Sequence, residues 1–356
     1  MKVLITGVCG FAGSTLAQAM LERRENLSVV GVDNFVRPGS ASNVEPLRKR
    51  GVRVIHADVR AASDFDALPS ADWLIDCAAN PSVLAGVDGR TSSRQLLEHN
   101  LAGTVNMLEF CKRHRAGFTL LSTSRVYSVP PLAGLNVVER GGAFVPDPAG
   151  PLPPGLTAEG VSESFSTAAP VSLYGATKLA SETLALEYGA TFDFPAYINR
   201  CGVLAGAGQF GRPDQGIFAY WIHSWAQRAP LGYIGFGGEG RQVRDCLHPA
   251  DLAPLILAQI DAATPPAKRI INVAGGASSA RSLRQVSAWC TERFGAHDVR
   301  RSPESRPFDI PWMVLDSAAA RRLWNWAPTR TAEDIFTEIA QFASARPDWL
   351  GLSAPL

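Results

Sequence analysis

No run of about 18 consecutive apolar residues occurs in this chain, so a helical membrane span is not expected. Cysteine is sparse. The six, at positions 9, 77, 111, 201, 246 and 290, lie far apart and form no CxxC pair. That spacing argues against a disulfide framework and for reduced core thiols in a reducing compartment. The six histidines make no ligand-spaced cluster with one another or with the cysteines, so no metal is expected. An excess of either charge is also missing. With 34 Lys and Arg against 33 Asp and Glu, the formal charge is +1. Such a balance leaves no electrostatic footprint for nucleic acid or an acidic membrane. There is no internal repeat and no low-complexity tail. An apolar strand pattern starts at Lys2, so no cleaved leader is expected, and the expected location is cytoplasmic. At 356 residues, the chain can bury the core of a large α/β domain with a smaller lobe.

What is present is concentrated near the start. Lys2 to Thr6 is an apolar strand that runs into Gly7, and Gly7, Gly10 and Gly13 follow at a spacing of three. A helical segment continues from about Ser14 to Arg24. Strand, glycine turn and helix together place a pyrophosphate on a helix N-terminus, where free N–H groups and the helix dipole favour negative charge. Gly7 makes the tight turn, Gly10 lets the backbone approach the phosphates, and Gly13 lets helix and strand pack closely. A second strand, Ser28 to Val32, ends at Asp33, twenty residues beyond Gly13. An acidic side chain there can hydrogen-bond an adenosine ribose and repels a 2′-phosphate, so the expected cofactor is NAD rather than NADP.

Strands and helices then alternate, which implies a parallel, doubly wound sheet of Rossmann type. Further strands are expected at Val52 to His56, Trp73 to Asp76, Phe118 to Ser122 and Pro195 to Arg200. Helices are expected at Ser92 to Arg115 and Tyr174 to Tyr188. Between Pro130 and Pro170 lie eight of the chain's 25 prolines and no clear periodicity. That stretch reads as an insertion over the active site, a subunit-contact loop or a mobile surface loop. Beyond Gly206, helices mix with short strands, including Leu231 to Ile234, Gln242 to Cys246 and Ile270 to Val273. The expected division is a dinucleotide-binding Rossmann domain over 1–205, carrying the insertion at about 128–170, and a mainly substrate-binding α/β lobe over 206–356 with some segments returning to the first sheet. Trp324 and Trp326 are expected to pack within that lobe.

The chemistry is expected at two places. Tyr174 and Lys178 stand four residues apart on one helix face. A neighbouring ammonium stabilises a phenolate and lowers its pKa, so such a tyrosine can take a proton from an alcohol while hydride leaves the same carbon. Ser122-Thr123-Ser124 lies at the carboxyl edge of the fifth strand, where ligands sit in open α/β sheets. Thr123 is the expected hydroxyl partner, with Ser122 and Ser124 as alternates. The same cluster could instead cap its own backbone.

These residues carry a resemblance. TGxxGxxG at Thr6 to Gly13, Asp33, the Ser/Thr cluster before Val126-Tyr127, and YxxxK resemble the extended short-chain dehydrogenase/reductases, an NAD-dependent family of nucleotide-sugar epimerases and dehydratases. The likeness spans nearly the whole chain. It implies cofactor contacts at Gly7, Gly10, Phe11, Gly13, Asp33, Asn34, Asp58, Val59, Cys77, Ala78, Ala79, Asn100, Tyr174 and Lys178, with Asn100 largely structural. Arg244, in a stretch from Gly240 to His248, and Arg306, before Pro307, look like the family's diphosphate-binding arginines. Within the family the chain resembles the CDP-tyvelose (CDP-paratose) 2-epimerases. The shared features are Ser122 to Tyr127 with its basic Arg125, Gln209-Phe210 followed by Asp214-Gln215-Gly216, and the long insertion. The resemblance implies Thr123, Tyr174 and Lys178 as catalytic residues, and Ser124, Arg125, Arg200, Gln209, Arg244 and Arg306 around the substrate. It departs at Asp76, where the family's fourth-strand motif carries histidine, and at Gly202-Val203, where many relatives carry polar residues.

The expected activity is therefore epimerisation of a nucleotide-diphosphate sugar by transient oxidation, rotation and re-reduction. A net dehydrogenase or reductase, a 4-epimerase, a 4,6-dehydratase and a non-catalytic dinucleotide sensor are the competing readings. The dehydratase ranks low, because Thr123-Ser124-Arg125 lacks the acid pair that dehydration requires. The resemblance also implies a homodimer; the apolar helical stretches Ser92 to Arg115 and Tyr174 to Tyr188 are candidate pairing faces, or core.

Overall fold

Short apolar strands need cover on both faces, and seven of them form one sheet. In the computed structural model, which describes residues 1–87, 89, 92–304 and 306–353, these are β1 (Lys2–Thr6), β2 (Ser28–Asp33), β3 (Arg53–His56), β4 (Trp73–Asp76), β5 (Gly117–Thr123), β6 (Ala196–Cys201) and β7 (Ile270–Val273). Their spatial order is β3-β2-β1-β4-β5-β6-β7, and every pairing is parallel. This is the doubly wound α/β sheet expected. Because side chains alternate across a strand, Val3 and Ile5 of β1 join one buried cluster and Leu4 joins the other. Parallel strands put their carboxyl ends on one edge, and Thr6, Asp33, Asp76, Thr123 and Cys201 all stand there.

Three helices position the site. The first, α1 (Phe11–Arg23), leaves the glycine turn and packs Leu16 and Met20 on the β1 face. Next comes α2 (Gly103–His114), preceded by a helical turn at Ser93–Leu97 and a π-helical turn at Glu98–Ala102. The wider π turn interrupts the helix expected over 92–115 where Asn100 is drawn inward to hold Asn80. The third, α3 (Leu173–Phe192), carries Tyr174 and Lys178.

Beyond β6, the helices Ile217–Ala226, Leu283–Phe294 and Ala332–Ala345 enclose a separate core built on Phe218, Trp221, Trp225, Val286 and Ile339. Trp324 and Trp326 do not belong to it. Trp326 packs in the core of the main sheet, and Trp324 meets Tyr197 of β6 edge-on at 5.4 Å, because the chain returns to the sheet there.

The stretch from 128 to 170 is more ordered than its composition suggests. It holds a helical turn, Val129–Ala133, and two hairpins, Val137–Arg140 with Ala143–Pro146 and Leu156–Thr157 with Gly160–Val161. Leu132, Leu135, Leu156 and Phe165 bury themselves against Val126, Tyr127, Trp312 and Leu315. Strands of two to four residues are too short to leave a periodic signature in the sequence.

Candidate active site

The glycine turn builds one end of a cleft of about 730 Å³ that opens along the carboxyl edge. Gly7 has φ +60°, and a Cβ on Gly13 would stand 2.3 Å from the Gly7 carbonyl oxygen. Glycine at these two positions lets α1 start directly against the turn. No side chain caps that start and no acidic residue occupies its first turn, so its N–H groups are available to an anion. Asp33 sits beside them. Its Oδ2 accepts from the Cys9 N–H at 2.9 Å and its Oδ1 from the Phe35 N–H at 2.8 Å. Each oxygen keeps acceptor capacity for a ribose hydroxyl. Burial pushes this carboxyl up, and the backbone N–H groups pull it back. A dinucleotide's pyrophosphate and ribose fit this turn and this carboxylate.

At the next strand ends stand the hydroxyl and the phenol. Thr123 closes β5, and its Oγ1 accepts from the Arg125 N–H at 3.2 Å, capping the turn Ser124–Val126. The same hydroxyl stands by the Tyr174 phenol and favours its ionised form. What brings them together is Gly175: a Cβ there would lie 2.2 Å from the Arg125 carbonyl oxygen, so only glycine lets α3 approach this closely. Ser172 starts α3 by accepting from the Gly175 N–H at 3.1 Å. Lys178, one turn on, is 2 % exposed, and its ammonium stands 3.9 Å from Asp76 of β4. The phenol does not sit low, as the Tyr/Lys spacing alone suggests. Burial pushes Tyr174 up, while Lys178, Thr123 and Arg125 draw it down.

The other end of the cleft is cationic. Arg125, Arg244 and Arg306 all line it, around Asp309. Arg244 Nη2 lies 3.4 Å from Asp309 Oδ1, and Arg125 Nη1 donates to the Phe308 carbonyl at 3.4 Å. Burial and the neighbouring Arg125 push Arg244 down to about 10. Guanidinium groups this close, with one carboxylate among them, suit a multiply charged anion.

Gly7, Gly10, Phe11, Gly13, Asp33, Asn34, Val59, Cys77, Ala78, Ala79, Thr123, Ser124, Arg125, Tyr174, Lys178, Gln209, Arg244 and Arg306 share this cleft. Three other candidates are not among its lining residues. Asn100 is buried and bonds Asn80 and Thr177. Asp58 is held by Asn34 and Arg60, with Arg60 keeping its carboxyl low. Arg200, expected beside the substrate, is 4 % exposed and engaged by Glu182 beneath α3. Cys201 lines the cleft, but burial pushes its thiol up to about 12, which leaves it a poor nucleophile.

Sequence reasoning missed the segment from Gln209 to Gly216 as a strap across the cleft. Arg37, in the loop after β2, donates to Gln215 Oε1 at 2.8 Å and to the Phe210 carbonyl. Ser82 donates to Asp214 Oδ2 at 2.8 Å. Phe210 stacks on Trp349 at 5.1 Å. The Gln209-Phe210 and Asp214-Gln215-Gly216 pair of motifs marked the segment, but nothing near Arg37 marked its partner.

A family model, the NAD dependent epimerase/dehydratase family, matches residues 3–274. CDP-paratose 2-epimerase of Salmonella typhi is 27 % identical, over 97 % of this chain and 100 % of that protein. An uncharacterized UDP-glucose epimerase of Bacillus subtilis is 29 % identical, over 97 % of this chain and 98 % of its own length. Among solved structures, UDP-glucuronic acid 4-epimerase from Bacillus cereus, in complex with UDP-glucuronic acid and NAD, superposes with a TM-score of 0.78 at 26 % identity, covering 97 % of this chain and 99 % of that one. With the glycine turn, Asp33 and the Tyr174–Thr123 contact in one cleft, and a family match over most of its length, this chain belongs to the NAD dependent epimerase/dehydratase family.

Proposed function

We propose that this chain is an NAD-dependent nucleotide-sugar epimerase acting at carbon 2 of a CDP-sugar. The observation that carries the reading is the placing of Tyr174, Thr123 and Lys178 in one cleft with the glycine turn and the group Arg125, Arg244 and Arg306. When bound, NAD accepts a hydride from the sugar carbon and returns it. Tyr174 takes the proton of the reacting hydroxyl and gives it back, with Thr123 sharing that proton. Lys178 holds the nicotinamide ribose and favours the phenolate. Arg244 and Arg306 anchor the diphosphate, which leaves the sugar free to turn and expose its other face. Ser124 and Arg125 offer no acid pair for dehydration, and Gln209 lines the same cleft.

Arg125 favours a second reading. Among the described residues its guanidinium has one hydrogen bond, to the Phe308 carbonyl, and it stands near Tyr174, where a sugar carboxylate would satisfy it. That reading is a uronic-acid 4-epimerase. One experiment separates them: the purified protein is incubated with CDP-, UDP-, dTDP- and GDP-sugars, including UDP-glucuronic acid, and products and NADH are followed. A CDP-sugar isomer without NADH supports the first reading, and an isomer of the uronic acid supports the second. Stoichiometric NADH with an oxidised sugar makes the enzyme a net dehydrogenase and overturns both.

We infer pairing of two copies along the helical stretch that runs from the turn Ser93–Leu97 into α2, and along α3, supported by the exposed Leu97, Leu173 and Phe192. The six free cysteines support work in the reducing cytoplasm.

A further inference from the structure

Asp76 closes β4 beside the glycine turn and is 1 % exposed. Its two oxygens differ. Oδ1 accepts from the Thr6 hydroxyl at 2.9 Å and from the Ala78 N–H at 3.0 Å. Among the described residues Oδ2 has no hydrogen-bond partner, and it faces the Lys178 ammonium at 3.9 Å. Among the described residues no other carboxylate pairs with that ammonium. A carboxylate buried for structure alone has both oxygens satisfied, because a bare one is costly in a medium of low dielectric. Here the bare oxygen is turned toward the lysine that supports the tyrosine. Thr6 bonds Asp76, Asp76 faces Lys178, and Lys178 lies in the cleft with Tyr174 and Thr123 and favours the phenolate.

We propose that Asp76 is a positioning residue of the reaction: its Oδ2 holds the Lys178 ammonium in place between β4 and α3, and its charge sets the pH at which Tyr174 works. The proposal rests on the reading of Tyr174 as the base. Its sign follows from the charges. Lys178 favours the phenolate, while Asp76 offsets that ammonium and so keeps the phenol protonated to higher pH. The other titratable groups facing this set are Cys77 beside Asp76, Cys201 at the end of β6 with Asp245 behind it, and Arg125 across from the phenol. Both thiols are pushed up by burial, Cys201 to about 12, and stay neutral near pH 7. Arg125 stays a cation. Burial pushes the Asp76 carboxyl up, while Lys178, the Thr6 hydroxyl and the Ala78 N–H draw it down. Burial pushes Asp245, which reaches the set only through Cys201, up to about 7. Ionised, Asp76 is the carboxylate that faces the Lys178 ammonium directly.

The test is Asp76→Asn, which keeps the shape and removes the charge. The acid limb of the kcat–pH profile is expected to move down by about one pH unit, with the plateau less affected. A second measurement needs no turnover: the phenolate absorbance of Tyr174, taken as the difference between the protein and its Tyr174→Phe variant, with and without D76N. The same downward shift is expected. Asp76→Ser is also neutral and can accept from Thr6, so it gives the same direction should the Asn variant fail to fold. A profile and a phenol titration that both stay in place overturn the proposal. A shifted phenol titration with an unmoved activity profile upholds the coupling between Asp76 and Tyr174 and overturns Tyr174 as the base.

Discussion

Arg200 of β6 and Glu182 of α3 form a two-point ion pair: Nε lies 3.0 Å from Oε1 and Nη2 lies 2.6 Å from Oε2. Ser122 donates to the same carboxylate at 2.5 Å, and the guanidinium lies 5.1 Å from the Tyr127 ring centre. The helix that carries Tyr174 is thus pinned to the two strands beneath it by a buried charge pair with its hydrogen bonds filled.

Removing one member leaves the other charge buried and alone. Glu182→Ala and Arg200→Ala are each expected to destabilise the fold by about 3–5 kcal/mol. The double variant should lose less than the sum, because neither charge is then stranded. Urea denaturation of the four proteins measures both. If Arg200 touched substrate instead, Arg200→Ala would raise KM with little loss of stability.

Tyr174→Phe keeps the ring and removes the proton carrier. We expect kcat to fall by about 10²–10⁴-fold with the fold and nucleotide-sugar binding kept, as read by steady-state rates and direct titration of the nucleotide sugar. Thr123→Val removes both the Tyr174 contact and the cap on the following turn, so it should lower kcat and stability together.

Gly175→Ala tests the approach of α3. The new methyl meets the Arg125 carbonyl oxygen at 2.2 Å, and a backbone atom cannot swing aside. The helix must retreat, costing about 1–3 kcal/mol of stability. A displacement of about 1 Å at Tyr174 is expected to lower kcat by about 10²-fold. An active, fully stable Gly175→Ala protein would show that this contact does not set the geometry.

The parts legible in the sequence are those whose signal is local. The β7 strand is read at Ile270 to Val273, with the bounds the structure has, because Ile270, Ile271 and Val273 favour a sheet and lie between Pro265-Pro266 and Gly275-Gly276. The glycine turn and the Tyr174–Lys178 spacing are equally local. What escaped reading depends on distant partners. Glu182 carries no motif and meets Arg200 only once α3 lies on β6. Burial of the Tyr174 phenol outweighs the lysine that spacing alone reveals. In the insertion, Leu132, Leu135, Leu156 and Phe165 find their cover in Trp312 and Leu315, more than 140 residues away along the chain.

Arg37→Ala cuts one attachment of the 209–216 strap while leaving the Ser82–Asp214 bond. Both anchor loops border the glycine-turn end of the cleft. Protein purified with NAD is expected to lose it about tenfold faster on dilution, the equivalent of about 1.4 kcal/mol in the barrier to release. Released NAD, reduced to fluorescent NADH by a coupling dehydrogenase and its substrate, measures this over time. A rate equal to that of the parent protein would show that the strap does not hold NAD.

His223 makes stability depend on pH from a place remote from the cleft. It lies in the helix Ile217–Ala226, is 1 % exposed, and among the described residues has no hydrogen-bond partner on either ring nitrogen. Its ring meets Phe342 edge-on at 5.9 Å. Burial in this apolar setting pushes it down from 6.5 to about 4. The unfolded chain takes up the proton near 6.5, whereas the folded chain resists it until about pH 4, so folding loses stability as pH falls through that interval. Its contribution is complete above pH 6.5 and unchanging below about pH 4. At about 1.4 kcal/mol per pH unit the whole interval is worth about 3 kcal/mol, and about 2 kcal/mol of it is gone by pH 5. His223→Leu removes the titrating group and the two unpaired nitrogens. Its stability should therefore differ less between pH 7 and pH 5 than that of the parent protein, by about 2 kcal/mol in urea denaturation. An equal pH dependence in the two proteins would mean that His223 finds a partner for its proton in solution.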